Sequence, residues 1–495
     1  MKVAIIGAGI SGITACKESV ACGLLPTVFE QHEGYGGNWN PKSGKTWNSI
    51  RSNISKYTFM YSDFPYSFLK QGEDFATTND IYRYLGEYIK EFQIEKYFRF
   101  QSIVLKACYK DEKWNITYRY IKTGQEHQMK FDFLIVASGV FDRPLPYEGI
   151  IEGVDLEKFK ESGGKVIHSL YYKDSEEFRG KRVLVVGNGN SGCDIVTDLI
   201  RQPNTEVYHY FRRNYWICGR YIPNGNKERV PLDWVFYSRL KQDASLKRSE
   251  TEKNLATNSF FEKISPLQLD IESIRIPKDQ YNTFIPLTIC DGYLENLRDN
   301  KFKVERNPQA LINSNQIDII IFCNGFSCSL DFLDSDTQKR LQFQSDSYQT
   351  MILYKECIPP LDMKGLAFVG VFRGTYTTVL ELQARMVTMM LSGQIPYPSQ
   401  ETMTTNLNAE LDIRYAIPRK LFPHPDYVNF ADSIARVIQC LPDFEKLKET
   451  DPELYNRLYN LPHNCSCYRL VGPHSKPKLA EMLLNQFLND VDSRK

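Results

Sequence analysis

Net charge of either sign is what this sequence most lacks. Over 495 residues, 61 lysines and arginines face 60 aspartates and glutamates. Nothing in that balance points to nucleic acid or an anionic membrane as a partner. Spaced metal-ligand pairs are missing too. The 12 cysteines contain no C-x-x-C pair and form no dense framework, which argues against a zinc ribbon or a disulfide-stapled secreted domain and leaves no metal site to expect. No apolar run approaches the roughly 20 residues that span a bilayer. The first strand starts at once, without a leader, and the last residues, Asn489 to Lys495, are polar. The expectation is a soluble, cytoplasmic chain with no transmembrane segment. Low-complexity tracts are absent, and the only internal repeat is a duplicated short unit.

That unit is a glycine fingerprint closing an apolar run. Lys2-Val3-Ala4-Ile5-Ile6 leads into Gly7-Ala8-Gly9-Ile10-Ser11-Gly12, and Arg182-Val183-Leu184-Val185-Val186 leads into Gly187-Asn188-Gly189-Asn190-Ser191-Gly192. Each reads as a buried parallel strand, a tight turn and a helix whose first N–H groups and positive dipole end suit a pyrophosphate. One G-x-G-x-x-G is weak evidence. Two in matching contexts predict an α/β fold with two Rossmann-like dinucleotide-binding domains. The next strand of each unit separates the two ligands. Pro26-Thr27-Val28-Phe29 ends on Glu30, whose carboxylate accepts from ribose hydroxyls and repels a 2′-phosphate, so the first site suits FAD or NAD. Glu206 to Phe211 is followed instead by Arg212 and Arg213, a guanidinium pair suited to the 2′-phosphate of NADPH.

The remaining pattern divides the chain into residues 1–150, the first part of an FAD-binding domain, 151–328, an inserted NADPH-binding domain, and 329–495, which returns to the first domain. Lys113 to Tyr118 alternates like an antiparallel strand of a small ribbon. Asp132 to Gly139 and Ile317 to Phe326 are apolar strands ending in glycine turns, placed to carry the chain between domains. Asp142-Arg143-Pro144 reads as a linker. Ser238 to Asn258, rich in Lys, Arg and Glu, reads as a solvated insertion. Leu366 to Gly370 reads as a buried strand and Thr378 to Ser392 as a helix.

With these residues in view, the chain resembles the flavin-containing monooxygenases, a family of class B flavoprotein monooxygenases, over nearly its whole length. Gly36-Gly37-Asn38-Trp39 is similar to the family's Gly-Gly-x-Trp. Ser52-Asn53-Ile54-Ser55-Lys56 and Ser62-Asp63-Phe64-Pro65 resemble further family segments. The hallmark F-x-G-x-x-x-H-x-x-x-Y falls on Ser162 to Tyr172, with Gly164, His168 and Tyr172 matching and Ser162 in place of the Phe. Leu353-Tyr354-Lys355, Glu381 to Arg385 and Tyr468 to Pro473 also resemble the family, the last its animal branch in particular. Cys323-Asn324-Gly325 departs from the usual Ala-Thr-Gly, and the apolar C-terminal anchor of animal members is missing.

The resemblance implies an NADPH- and dioxygen-dependent FAD monooxygenase that oxygenates soft nucleophiles, amine nitrogen or sulfide sulfur, through a flavin hydroperoxide. The cofactor carries the difficult chemistry and the protein positions it and excludes water, so no acid–base dyad is required. Asn53 is the expected catalytic side chain, a neutral amide that hydrogen-bonds without delivering a proton. FAD contacts are expected at Gly7, Gly9, Ile10, Ser11, Gly12, Glu30, Gly37, Asn38, Trp39, Asn53, Ser138, Gly139 and Gln383. NADPH contacts are expected at Tyr172, Gly187, Asn188, Gly189, Asn190, Ser191, Gly192, Arg212, Arg213, Asn324 and Gly325. His168 is expected to position the linker and the NADP⁺. Glu381 and Arg385, at i and i+4, are placed to pair with each other. Partners are a small-molecule amine or sulfide and dioxygen, with no nucleic acid; a homodimer is compatible. Rival readings are a Baeyer–Villiger ketone monooxygenase, a disulfide reductase using Cys323 and Cys328, and a non-catalytic nucleotide sensor.

Overall fold

A computed structural model describes residues 1–42, 45–67, 69, 72–224, 227–363, 365–374, 377–417, 424 and 426–494. Two parallel five-stranded sheets organise it. The first contains β1 (Lys2–Ile6), β2 (Leu25–Phe29), β3 (Phe98–Arg99) and β4 (Phe133–Val136), and is completed by Leu366–Phe368 beyond β4. The second contains β5 (Lys165–His168), β6 (Arg182–Val186), β7 (Glu206–Tyr210), β8 (Lys303–Val304) and β9 (Ile319–Phe322). These runs are short, rich in Val and Ile, and buried on both faces, as a sheet covered by helices requires.

The strand that feeds each glycine turn is central. β1 lies between β2 and β4, with Ile6 opposite Phe29 and Val136. β6 lies between β7 and β9, with Val186 opposite Tyr210 and Phe322. Chain direction across the sheet reverses beside that central strand, so each turn opens onto the crevice where open α/β sheets bind ligands. α1 (Ile10–Ala21) follows the first turn and α2 (Asn190–Leu199) the second.

The ribbon expected around Lys113 to Tyr118 is a three-stranded antiparallel sheet, Ser102–Lys110, Lys113–Tyr120 and Glu126–Phe131. The linker at Arg143-Pro144 pairs antiparallel with Phe326-Ser327. The chain therefore leaves and re-enters through one two-stranded crossing.

The polar stretch from Ser238 to Asn258 exposes most of its charged residues, as its sequence reading has it, and is anchored at a few buried positions. Its first helix, α3 (Arg239–Leu246), buries Arg239 and Gln242. The Arg239 guanidinium forms a two-pronged ion pair with Asp432, both contacts at 2.8 Å, and donates to Leu458 O. Asn258 is buried under the Trp216 indole, which donates to it at 2.9 Å.

The C-terminal part contributes α4 (Thr377–Leu391), buried along its length, then α5 (Gln400–Tyr415), α6 (Tyr427–Val437) and α7 (Pro477–Asp492). Residues 489–492, read as part of a polar tail, belong to α7, and Lys495 lies outside the described residues. No helix among the described residues is long and apolar enough to cross a membrane.

Candidate active site

The first glycine turn is fixed by close backbone contact. Gly7 has φ +103°, and a Cβ there would stand 2.6 Å from Ala137 O. A Cβ on Gly12 would stand 1.8 Å from Gly7 O, so the helix can approach the turn only without one. Gly37 packs on Gly9 just as tightly, since its Cβ would meet Gly9 Cα at 2.8 Å. Gly9 caps α1 without any side-chain hydrogen bond, which leaves the first-turn N–H groups for a phosphate. Ser11 is buried against Gly370, while Ile10 O accepts from the Thr14 and Tyr61 hydroxyls. Glu30 ends β2, buried, and its two oxygens accept from Ala8 N–H and His32 N–H, each at 2.8 Å. Asn38 and Trp39 form a short turn beside Gly37, with the indole edge-on to Phe59. Ser138 and Gly139 follow β4 into the same crevice. This cradle, free of Cβ atoms and flanked by a carboxylate, fits the pyrophosphate and ribose of FAD.

The second turn repeats the design with different chemistry. Gly187 has φ +118° and its Cβ would lie 2.6 Å from Cys323 O, whereas a Cβ on Gly189 would meet nothing within 4 Å. Open space thus lies over the N-terminus of α2. Asn188 Nδ2 donates to Arg213 O at 3.2 Å, and Asn190 Oδ1 accepts from Ile289 N–H at 2.9 Å. Ser191 is half-buried, and Gly192 packs on Gly187 O. Arg212 and Arg213 are exposed beyond the end of β7. Arg306, which the sequence does not single out, stacks on Phe211 at 4.4 Å and donates to Phe211 O, Asn214 and Ser273 O. It fixes the loop that presents the arginine pair, and these residues fit a 2′-phosphorylated nucleotide. Beneath the turn, buried His209 lies between Tyr293 and Gly187 O, and burial pushes its pKa down to about 4.

Asn53 is half-buried, on a loop from the first unit that docks on the second. Its Oδ1 accepts from Arg220 Nη2 at 3.0 Å. The same guanidinium donates to Ser52 O and Arg51 O and pairs with Asp291 at 2.9 Å. Two residues on, Asp233 accepts from Ser55 N–H and from the Ser55 and Thr58 hydroxyls. Trp47 and Ile50, just upstream, pack in the hydrophobic core of the second sheet. Arg220 and Asp233 thus clamp the Asn53 loop, and the sequence gives no signal for either because their partners lie about 170 positions away.

His168 Nδ1 accepts from Leu170 N–H, so Nε2 carries the hydrogen that it donates to Gly325 O at 3.1 Å. With its ring edge-on to Phe326, it braces the interdomain crossing.

Three sequence expectations need correction: Tyr172, Gln383 and the Glu381–Arg385 pair. Tyr172 does not face the second turn: it is fully buried, and its hydroxyl donates to Asp198, at the far end of α2 from the glycines. Gln383 is fully buried, its amide divided between Lys355 O and Gly370 N–H, so it steadies the turn behind Ser11 and offers FAD no surface. Asn324 is half-buried and its Nδ2 donates to Leu145 O and Pro146 O, which fixes the linker and leaves Oδ1 without a partner among the described residues. Glu381 and Arg385 do not pair. Glu381 binds Ser62 and Arg469, and Arg385 binds Tyr468 O and Pro473 O.

Two dinucleotide cradles of unequal chemistry define the class of two-nucleotide flavoprotein oxidoreductases. Residues 1–490 match the family model of flavin-binding monooxygenase-like proteins, and the chain belongs to that family of enzymes. It is 31% identical over 500 residues to the dimethylaniline monooxygenase (N-oxide-forming) 2 of Pan troglodytes, spanning 95% of this chain and 89% of the relative. S-allyl-L-cysteine S-oxygenase from Allium sativum shares the fold with a TM-score of 0.61 at 18% identity, over 99% of this chain and 98% of that one. Cyclohexanone monooxygenase from Rhodococcus sp. Phi1 bound to NADP⁺ shares it at 0.61 and 16%, over 88% and 97%.

Proposed function

We propose that the chain is a monooxygenase with FAD and NADPH as cofactors that transfers one oxygen atom of dioxygen to an amine nitrogen or a sulfide sulfur. FAD, reduced by NADPH, would supply the oxygen chemistry by the hydroperoxide route that the family resemblance implies. The chain's own residues position and shield. Residues 151–328 are proposed to hold NADPH through Gly187, Asn188, Gly189, Asn190, Ser191, Gly192, Arg212, Arg213 and Gly325. Residues 1–150 and 329–495 are proposed to hold FAD through the first turn, Glu30, the Gly37–Trp39 segment, Ser138 and Gly139. The loop around Trp47 packs with the other unit. A reducing compartment, the cytoplasm, is part of the reading, and all twelve cysteines are free.

The observation that carries the oxygenase reading is the posture of Asn53. Arg220 occupies its carbonyl oxygen, which sets the amide orientation and leaves Nδ2 as the group that would donate to a ligand. An amide donor stabilises a developing negative oxygen without surrendering a proton, which limits premature loss of hydrogen peroxide. Asn53→Ala is expected to keep FAD at one per chain and to lose about 10²-fold or more in product formed per NADPH consumed. Rapid mixing of the reduced protein with dioxygen, with product assayed against peroxide, checks this. Undiminished sulfoxide or N-oxide formation removes Asn53 from the mechanism, and oxygenation of ketones alone would favour the Baeyer–Villiger reading.

A further inference from the structure

On the C-terminal side of the molecule, three segments distant in sequence bring two carboxylates and an imidazole together. Glu356 lies in the turn between Tyr354 and Ile358, Glu410 on α5, and His424 just before α6. Glu356 and Glu410 are 3% and 2% exposed. His424 Nε2 stands 3.4 Å from Glu356 Oε1 and 3.1 Å from Glu410 Oε2, and one ligand atom from each residue lies within 4.8 Å of the others. The imidazole plane is set by stacking on Phe430 at 4.6 Å.

Hydrogen bonds among the described residues leave two acceptors of the cluster unfilled. Glu356 Oε2 and Gln349 Oε1 are buried acceptors without a hydrogen-bond partner among the described residues, on side chains more than nine-tenths buried. Gln349 Nε2 donates to Glu410 Oε2, which holds the amide against the cluster. Buried carboxylates and orphan acceptors are costly unless something positive satisfies them. The imidazole–carboxylate separations fall near the edge of a tetrahedron built on metal–ligand bonds of about 2.0–2.1 Å, roughly 3.4 Å.

We propose that Glu356, Glu410 and His424 bind a structural divalent transition-metal ion of the zinc class, with Gln349 Oε1 or a water completing the shell. A neutral imidazole and two carboxylates balance a doubly charged ion, and oxygen and nitrogen donors without thiolate suit Zn²⁺. The sequence gives no hint of it, because positions 356, 410 and 424 have no ligand spacing in common. The ion would tie α5 and the approach to α6 to the turn whose Lys355 O holds Gln383, and through Gln383 the Gly370 turn behind Ser11.

The test uses the FAD-loaded protein, purified without chelator, soaked in Zn²⁺ and desalted. Elemental analysis is expected to find one zinc per chain, and about a tenth of that or less in Glu410→Gln and His424→Asn. Zinc-edge X-ray absorption on the native protein is expected to show oxygen and nitrogen at roughly 2.0–2.1 Å and no sulfur at roughly 2.3 Å. That measurement decides the matter even if a variant fails to fold. Absence of zinc after loading, a sulfur shell from the free cysteines, or full zinc in both folded variants overturns the proposal.

Discussion

Arg212 and Arg213 show how little of a site one residue type decides and how much its setting adds. Their charge was legible in the sequence, because the tip of the second strand is a fixed offset from the glycine turn. What fixes them in space is Arg306, stacked on Phe211 and bonded to three partners. Arg212→Ala with Arg213→Ala is expected to raise KM for NADPH about tenfold or more and to leave KM for NADH within about twofold. Steady-state kinetics with both nucleotides checks this, and equal effects would remove the 2′-phosphate assignment. His209 acts at the same scale through its proton. Burial keeps it neutral down to about 4, whereas the unfolded chain takes the proton near 6.5. Its contribution is therefore present in full above about pH 6.5 and lost as pH falls toward 4. From about pH 7 to about pH 5 it removes on the order of 2 kcal/mol of stability. His209→Asn should flatten that part of the stability–pH curve in urea unfolding.

Elements whose burial depends on a distant partner were the ones the sequence misreported. The two central strands and their turns were legible because every requirement, apolar run, glycine and helix, is local. α3 was not. Arg239 and Gln242 look solvated until Asp432, Asn429 and Leu458 are brought to them by the fold. Breaking that buried pair leaves a charge without its partner, so Arg239→Met is expected to cost about 3–5 kcal/mol. Adding Asp432→Leu should recover much of the loss. Thermal unfolding of the single and double variants measures both, and equal destabilisation by the two would show that the pair itself contributes little. Glu381 and Arg385 teach the same lesson, since i,i+4 spacing on a helix buried all round says nothing about which neighbour wins.

At the scale of the whole molecule, the C-terminal segment is tied back to the first helix by charge. Arg469, 1% exposed in its side chain, reaches Glu381 at 2.5 Å, Glu18 at 3.1 Å and Asp63 at 3.4 Å. Lys17 binds Glu18 and Asp63 from the other side. The surrounding cations hold the Asp63 carboxyl down at about 2 despite its burial. Arg469→Met is expected to cost about 3–5 kcal/mol and to loosen FAD retention. Lys476→Ala, removing a side chain 40% exposed on the same Asp63, should cost about 1 kcal/mol or less. Flavin content after gel filtration and Tm separate the two variants, and a Tm loss no larger in the first than in the second would demote the network.

The loop that carries Asn53 has been borrowed by its neighbour, since Trp47 and Ile50 sit in the second core and Arg220 grips the peptide groups beside Asn53. Rocking of one unit against the other would therefore strain this loop, which is also tied to its own unit through Ser52 N–H to Ala76 O and Lys56 N–H to Asp74 O. Separation of the units would then dismantle the proposed oxygen site. If Asn53 acts as proposed, the two units must stay docked until the oxygen has been delivered.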